Sequence, residues 1–114
     1  MSKKDTLSDH YFQKVYDVTS MIPSGRVSTY GAIADFLALG SARMVGWALN
    51  NCHGIKDVPA HRVVNRKGEL SGRIHFKPPS SMASRLRKEG VKVKNDQVAD
   101  FEKLFWHPRE MGME

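Results

Sequence analysis

The sequence is poor in cysteine, poor in acidic residues relative to basic ones, and lacks long apolar runs. Cys52 is the one cysteine among 114 residues. No internal disulfide can therefore close, which fits a reducing compartment. One cysteine cannot build a cysteine-rich zinc site either. His10, His53, His61, His75 and His107 lack the paired spacings of zinc ligands. Neither a metal nor a cofactor is expected. No apolar stretch approaches the roughly 20 residues that span a bilayer, and Met1 to His10 holds no apolar signal-peptide core. The expected location is the cytoplasm, away from membranes.

Acidic residues number 12 against 18 Lys and Arg, a formal net charge of +6. That excess suits a polyanionic partner, but it describes a merely solubilising surface equally well. What decides is whether the basic groups share one functional surface. The length suits one small core, so a single domain over residues 1–114 is expected, with a loose N-terminus at 1–8. No internal repeat or low-complexity tract is present.

The periodicity predicts a mainly α fold with short strands. Tyr11, Val15, Val18 and Ile22 recur at helical spacing, with Phe12, Tyr16 and Thr19 beside them. Ser8 or Asp9 is a candidate cap, and Pro23-Ser24-Gly25 stops the helix. Ser28 and Thr29 are candidate N-caps for a stripe of Tyr30, Ile33, Ala34 and Leu37. Leu39-Gly40-Ser41 breaks it, and a helix from about Ala42 to Asn51 follows, with Val45, Ala48 and Leu49 inward. Two short helices around a Gly-containing turn read as a helix-turn-helix, here of winged type. Val58 to Val64 is apolar, interrupted by Pro59, His61 and Arg62, and Ser71 to Pro79 reads as a loop. A helix from about Ser80 to Glu89 buries Met82, Ala83 and Leu86, with Gly90 as its C-cap. Val91-Lys92-Val93 suits a short strand, and Phe101, Leu104, Phe105 and Trp106 would pack the C-terminal segment.

On the outer face of the second helix of the pair, Arg43, Gly46 and Asn50 stand at i, i+3 and i+7. A glycine inside a helix costs about 1 kcal/mol against alanine. Close approach of another helix, or of a ligand backbone, would justify it. The neighbouring arginine and asparagines favour DNA.

Several ordered motifs then resemble one family. O6-alkylguanine-DNA alkyltransferases carry Pro-Cys-His-Arg-Val at the active site, and this chain reads Pro59-Ala60-His61-Arg62-Val63. Ile22-Pro23-x-Gly25-x-Val27-Ser28-Thr29-Tyr30-Gly31-x-Ile33-Ala34, Ala42-Arg43-x-Val45-Gly46 and Glu89-Gly90 match in order and spacing. The resemblance covers roughly Tyr11 to Gly90. The short length, the absent cysteine and the aromatic ending Phe105-Trp106-His107-Pro108 are similar to the alkyltransferase-like branch.

The resemblance implies a sensor of O6-alkylguanine in duplex DNA. Such a protein binds the minor groove, flips the damaged nucleotide and hands the lesion to nucleotide-excision repair proteins. It is not an enzyme, and it is a monomer. Accepting an alkyl group from guanine O6 needs a thiolate, with a nearby histidine to take the proton. Alanine has no lone pair, so His61 has nothing to activate. Cys52, eight residues upstream, reads as a small buried thiol.

By resemblance, Arg43 enters the groove and fills the gap left by the extruded base; a surface arginine paired with an acid is the plain alternative. Tyr30 helps rotate the nucleotide, while also suiting a core position. Ser28 and Thr29 would contact phosphate through hydroxyls and the helix N-terminus. Ala42 and Gly46 are small enough to sit on the groove floor, and Ser41 and Asn50 complete the candidate DNA-binding set. The candidate lesion pocket comprises Tyr30, Pro59, Ala60, His61, Val63, Val64 and Arg73. Arg73 would lie over the base as a cation–π contact, or simply be a solvated loop arginine. His61 and Glu89 form a structural pair, and Arg62 is structural too. Two departures stand out. Trp47 occupies a position that is usually smaller or polar, with altered helix packing as the expected result. Ala60 replaces the tryptophan common in the alkyltransferase-like branch, which implies a roomier pocket. The rival readings are a sequence-specific helix-turn-helix regulator reading the major groove, an enzyme using Cys52 or a hydroxyl, and a pure interaction module.

Overall fold

The computed structural model of the protein describes residues 3–55 and 57–112. Helix α1 runs Lys3–Thr19. It starts earlier than a cap at Ser8 or Asp9 would allow, and residues 3–8 are helical rather than loose; residues 1 and 2 lie outside the described residues. Nothing between Lys3 and Thr19 is Gly or Pro, so no breaker stops the helix growing N-terminally from its packed half. That half buries Val15, Tyr16, Val18 and Thr19. Two tyrosines tether it further on: Tyr11 Oη donates to the Met44 carbonyl at 2.7 Å, and Tyr16 Oη to that of Ala48 at 2.8 Å. Their rings pack while their hydroxyls stay satisfied.

After the turn at Gly25, whose φ of +89° suits a residue without Cβ, strand β1 (Ser28–Thr29) leads directly into helix α2 (Tyr30–Phe36). Thr29 caps it, its Oγ1 accepting from Ala32 N at 3.0 Å. Helix α3 (Ala42–Asn50) follows and packs on both α2 and α1, burying Val45, Ala48 and Leu49. This is the expected helix-turn-helix pair.

Strand β2 (Val63–Val64) runs parallel to β1, with Ser28 opposite Val63 and Thr29 opposite Val64. A 3-10 turn, Ala60–Arg62, precedes it. This small ladder joins residues 35 positions apart, holding the start of α2 beside the Pro59–Val64 motif. Val27 extends the contact: its amide donates to the Leu104 carbonyl and its carbonyl accepts from Trp106 N.

The expected loop 71–79 contains a 3-10 turn at Arg73–His75. Helix α4 (Ser81–Lys88) buries Met82, Ala83 and Leu86 as predicted. It ends in a Schellman motif: Gly90 N donates to the Arg87 carbonyl and Val91 N to that of Leu86, with Gly90 at φ +89°. The strand comes later than expected. β3 is Val93–Lys94, paired antiparallel with β4 (Gln97–Val98) through Asn95 and Asp96, both at positive φ. Two central residues at φ > 0 are what a tight hairpin turn demands, and Asn and Asp tolerate them. Helix α5 (Phe101–Leu104) and a 3-10 turn at Pro108–Gly112 close the chain around buried Trp106. The fold is mainly α with short strands around one core. Among the described residues no helix is long and apolar enough to cross a membrane.

Candidate nucleic-acid interface

Tyr30, Ala42, Arg43, Gly46 and Asn50, all singled out from the sequence, line one open cleft of about 550 Å3 together with Trp47. Helical geometry explains the grouping: residues 43, 46, 47 and 50 stand at i, i+3, i+4 and i+7 of α3, opposite the buried Val45, Ala48 and Leu49. Trp47 is the residue the sequence reading misjudged. Its side chain is 60% exposed, so it alters no helix packing and instead forms part of the cleft. Its i+4 spacing from Arg43 carried that information.

Gly46 can now be decided between packing and approach. A Cβ there would meet nothing within 4 Å, and the same holds at Gly31 on α2. No neighbouring helix needs the missing side chain. What the glycines leave is a shallow apolar surface that a ligand backbone can approach. Ser41, at the N-cap of α3, makes no side-chain cap hydrogen bond and is exposed. A second cleft of about 440 Å3 shares Tyr30 and Ala42 and adds Gly31, Asn65, Arg66, Lys67 and Glu69.

Ser28 and Thr29 do not reach this surface. Ser28 is fully buried with Oγ unpartnered, and the Thr29 hydroxyl is occupied by the α2 cap. Burial, rather than the cap, withdraws both hydroxyls from the surface: Ser28 is 0% and Thr29 8% exposed. Tyr30 is half-buried; burial raises its phenol pKa, opposed by a hydrogen bond with Ser71. Gly72 lies so close that a Cβ would come within 2.6 Å of the Tyr30 hydroxyl.

The Pro59–Val64 motif is largely buried, with Pro59 and Arg62 half-buried. Val63 and Val64 are fully buried, and Ala60 is 7% exposed. Pro59 and His61 border a separate cleft of about 340 Å3 with Arg62 and Arg85, apart from Tyr30 and Arg73. None of the clefts described above gathers the predicted pocket residues together. Arg73 is held elsewhere: it donates to the Leu70 carbonyl at 3.0 Å and pairs with Asp96 at 3.4 Å.

The predicted pair of His61 and Glu89 exists, at 2.9 Å, and belongs to a larger network. Arg62 grips Glu89 with Nε and Nη2, the latter at 2.7 Å, and donates from Nη1 to the Ile22 carbonyl at 2.8 Å. Burial alone would raise the Glu89 pKa, but the hydrogen bonds and charges of Arg62 and His61 outweigh it and hold it down at about 2. Burial pushes the His61 pKa below its ordinary value, against the opposing pull of Glu89. With Nε2 donating to an ionised Glu89, the remaining Nδ1 is buried without a protein partner. Cys52 offers no substitute nucleophile: it is 2% exposed, and burial pushes its thiol up to about 11. Among the described residues no three His, Cys, Asp or Glu side chains gather as a metal site.

Residues 10–91 match the family model described as the 6-O-methylguanine DNA methyltransferase, DNA binding domain. The chain belongs to that family, in its alkyltransferase-like branch. It is similar to alkyltransferase-like protein 1 of Schizosaccharomyces pombe, 36% identical over 105 residues that cover 88% of this chain and 97% of the relative. It is also similar to the DNA base-flipping protein of Escherichia coli, 33% identical over 102 residues covering 87% and 76%. Among solved structures it resembles that of the S. pombe protein in complex with damaged DNA containing O6-carboxymethylguanine, with a TM-score of 0.77, 35% identity, and coverage of 88% and 97%.

Proposed function

We propose that this chain is a non-enzymatic sensor of O6-alkylguanine in duplex DNA, which extrudes the damaged nucleotide and marks it for nucleotide-excision repair. The observation that carries the reading is the outer face of α3. It presents Arg43, exposed Trp47 and a Gly46 with open space around it, none of which the protein's own packing requires. Small residues let the helix approach a groove floor, and an apolar wedge beside an arginine suits the minor groove, where such wedges unstack and bend the duplex. Flipping costs a few kcal/mol, less for a poorly paired base. Arg43 offsets part of it by occupying the vacated space.

The chemistry supports binding without transfer. Ala60 stands at the acceptor position, and the one thiol is buried and protonated at neutral pH. His61 retains its Glu89 partner but has no nucleophile to serve, so its role is to hold the wall. Ala60 is buried, so the small residue makes room for adducts larger than methyl only if the Pro59–Val64 segment opens on binding; equal or poorer affinity for a benzyl than for a methyl adduct would contradict that tolerance. Arg73 reaches the flipped base only by leaving Asp96. The protein acts as a monomer in the cytoplasm.

Two readouts test this. A duplex carrying 2-aminopurine beside O6-methylguanine should brighten on binding as stacking is lost; an unchanged signal contradicts extrusion. The intact mass of the protein should be unchanged after incubation with the same duplex. A gain equal to the alkyl group would establish an enzyme instead.

A further inference from the structure

Beyond the C-terminal end of α3 lies a basic cleft that the interface above does not use. We infer that it binds a phosphate of the DNA backbone, flanking the lesion. His53, Gly54, His75, Phe76, Lys77 and Arg85 line a space of about 400 Å3. The imidazoles of His53 and His75 stack with centroids 6.5 Å apart and planes inclined by 23°. His53 meets the edge of Phe76 at 4.6 Å, and the Arg85 guanidinium sits over the same ring at 5.6 Å. Phe76, buried, thus orients two of the four basic groups.

Among the described residues the cleft holds no carboxylate of its own. Arg26, Arg62, Arg73 and Arg109 each pair with a carboxylate. Among the described residues no Asp or Glu pairs with His53, His75, Lys77 or Arg85. Asp57 lines the adjoining cleft, which shares Arg85, but makes no ion pair with it. Four cationic or protonatable groups therefore face one space without a counter-charge. Partial burial and the charges of His75 and Arg85 favour neutral His53 in the free protein. An anion in the cleft adds an attraction that opposes those effects and draws a proton onto His53.

Position selects the DNA backbone over a free anion. His53 follows Asn50, which lines the recognition cleft, by three residues. Three residues span at most about 11 Å, about three nucleotides of rise along one strand. A duplex lying on α3 and running toward its C-terminal end would bring backbone phosphates within that distance of His53.

The inference rests on the DNA-binding reading, and one set of titrations separates the two. Wild-type protein and Lys77→Gln/Arg85→Gln are titrated with a lesion duplex and its guanine counterpart across a salt series. The variant should lose affinity several-fold for both duplexes, with its log–log salt slope smaller by about 0.9 per phosphate contact removed. A methylphosphonate walked along the backbone tests the unaltered protein: one or two flanking neutral linkages should weaken wild type and leave the variant unmoved. Binding by wild type should strengthen several-fold from pH 7.5 to pH 6.0, and His53→Gln/His75→Gln should flatten that dependence, since His10, His61 and His107 remain in both. Equal salt slopes, equal linkage sensitivity or an unchanged pH profile would overturn the site while wild-type lesion preference stood. Loss of that preference in wild type would instead sink the sensor reading. If inorganic phosphate shifts the His53 and His75 ring resonances but DNA binding is identical in all proteins, the cleft serves a free anion and the backbone assignment fails.

Discussion

The outer face of α3 and the network around Glu89 are built on opposite terms. Around Glu89 nearly every polar atom has a partner: Arg62 spends three nitrogens on Glu89 and the Ile22 carbonyl, and His61 completes the set. On α3 the notable groups have none that the fold requires. Trp47 is exposed, Gly46 faces open space, and Ser41 leaves its hydroxyl unspent on a cap. A buried charge must be satisfied inside the protein, because leaving it unpaired costs several kcal/mol. A surface kept small, apolar and uncommitted is satisfied from outside. In the proposed function the first region supports and the second recognises, so substitutions in each should separate stability from binding.

The largest effect is expected in the supporting region. Arg62→Ala leaves Glu89 with His61 and a long contact from the Gly25 amide at 3.4 Å, and the Ile22 carbonyl without its side-chain donor; it should cost about 3 kcal/mol of unfolding free energy in a urea titration. Arg62→Lys recovers only part of it, because an ammonium cannot reproduce the two-pronged grip. Next in size is Arg43→Ala. It should weaken binding to a lesion duplex about tenfold, ~1.4 kcal/mol, with little change for single strands or for the melting curve. Equal loss on both substrates would make Arg43 a plain electrostatic contact.

Gly46→Ala sharpens the contrast, since its two effects have opposite signs. It should stabilise the helix by up to about 1 kcal/mol and still weaken duplex binding, because the added methyl lies where the groove must approach. Improvement in both would show that α3 does not sit against DNA. The smallest effect near neutrality is that of pH. The folded-state pKa of Glu89 is about 2 against 4.5 in the unfolded chain, so its stabilisation is complete above about pH 4.5 and is lost as the pH falls toward 2. The His61 pKa is also lowered, so its contribution is present above 6.5 and declines below. The melting temperature should therefore fall as the solution is acidified, and Glu89→Gln should flatten the lower part of that curve.

Much of this was legible in the residues. The inward faces of α2, α3 and α4 follow from 3.6-residue periodicity, and Gly90 announced its Schellman cap. The His61–Glu89 pair came only through the family resemblance, since 28 positions separate the two. What escaped was set by distant contacts. Ser28 reads as a helix-start hydroxyl and is buried because β2 pairs alongside it. The β3–β4 hairpin has two-residue strands, too short to show alternation, and an Asn95-Asp96 turn without glycine. Arg73 looked free in a loop, and Asp96 from that hairpin holds it. Trp47 was misplaced although the helical wheel put it beside Arg43.

The most direct measurement is fluorescence anisotropy of a duplex bearing one O6-methylguanine against the same duplex bearing guanine, at one fixed salt concentration. The account predicts a clear preference for the lesion. Equal affinity for both duplexes would contradict lesion recognition and leave a general or sequence-reading DNA-binding domain.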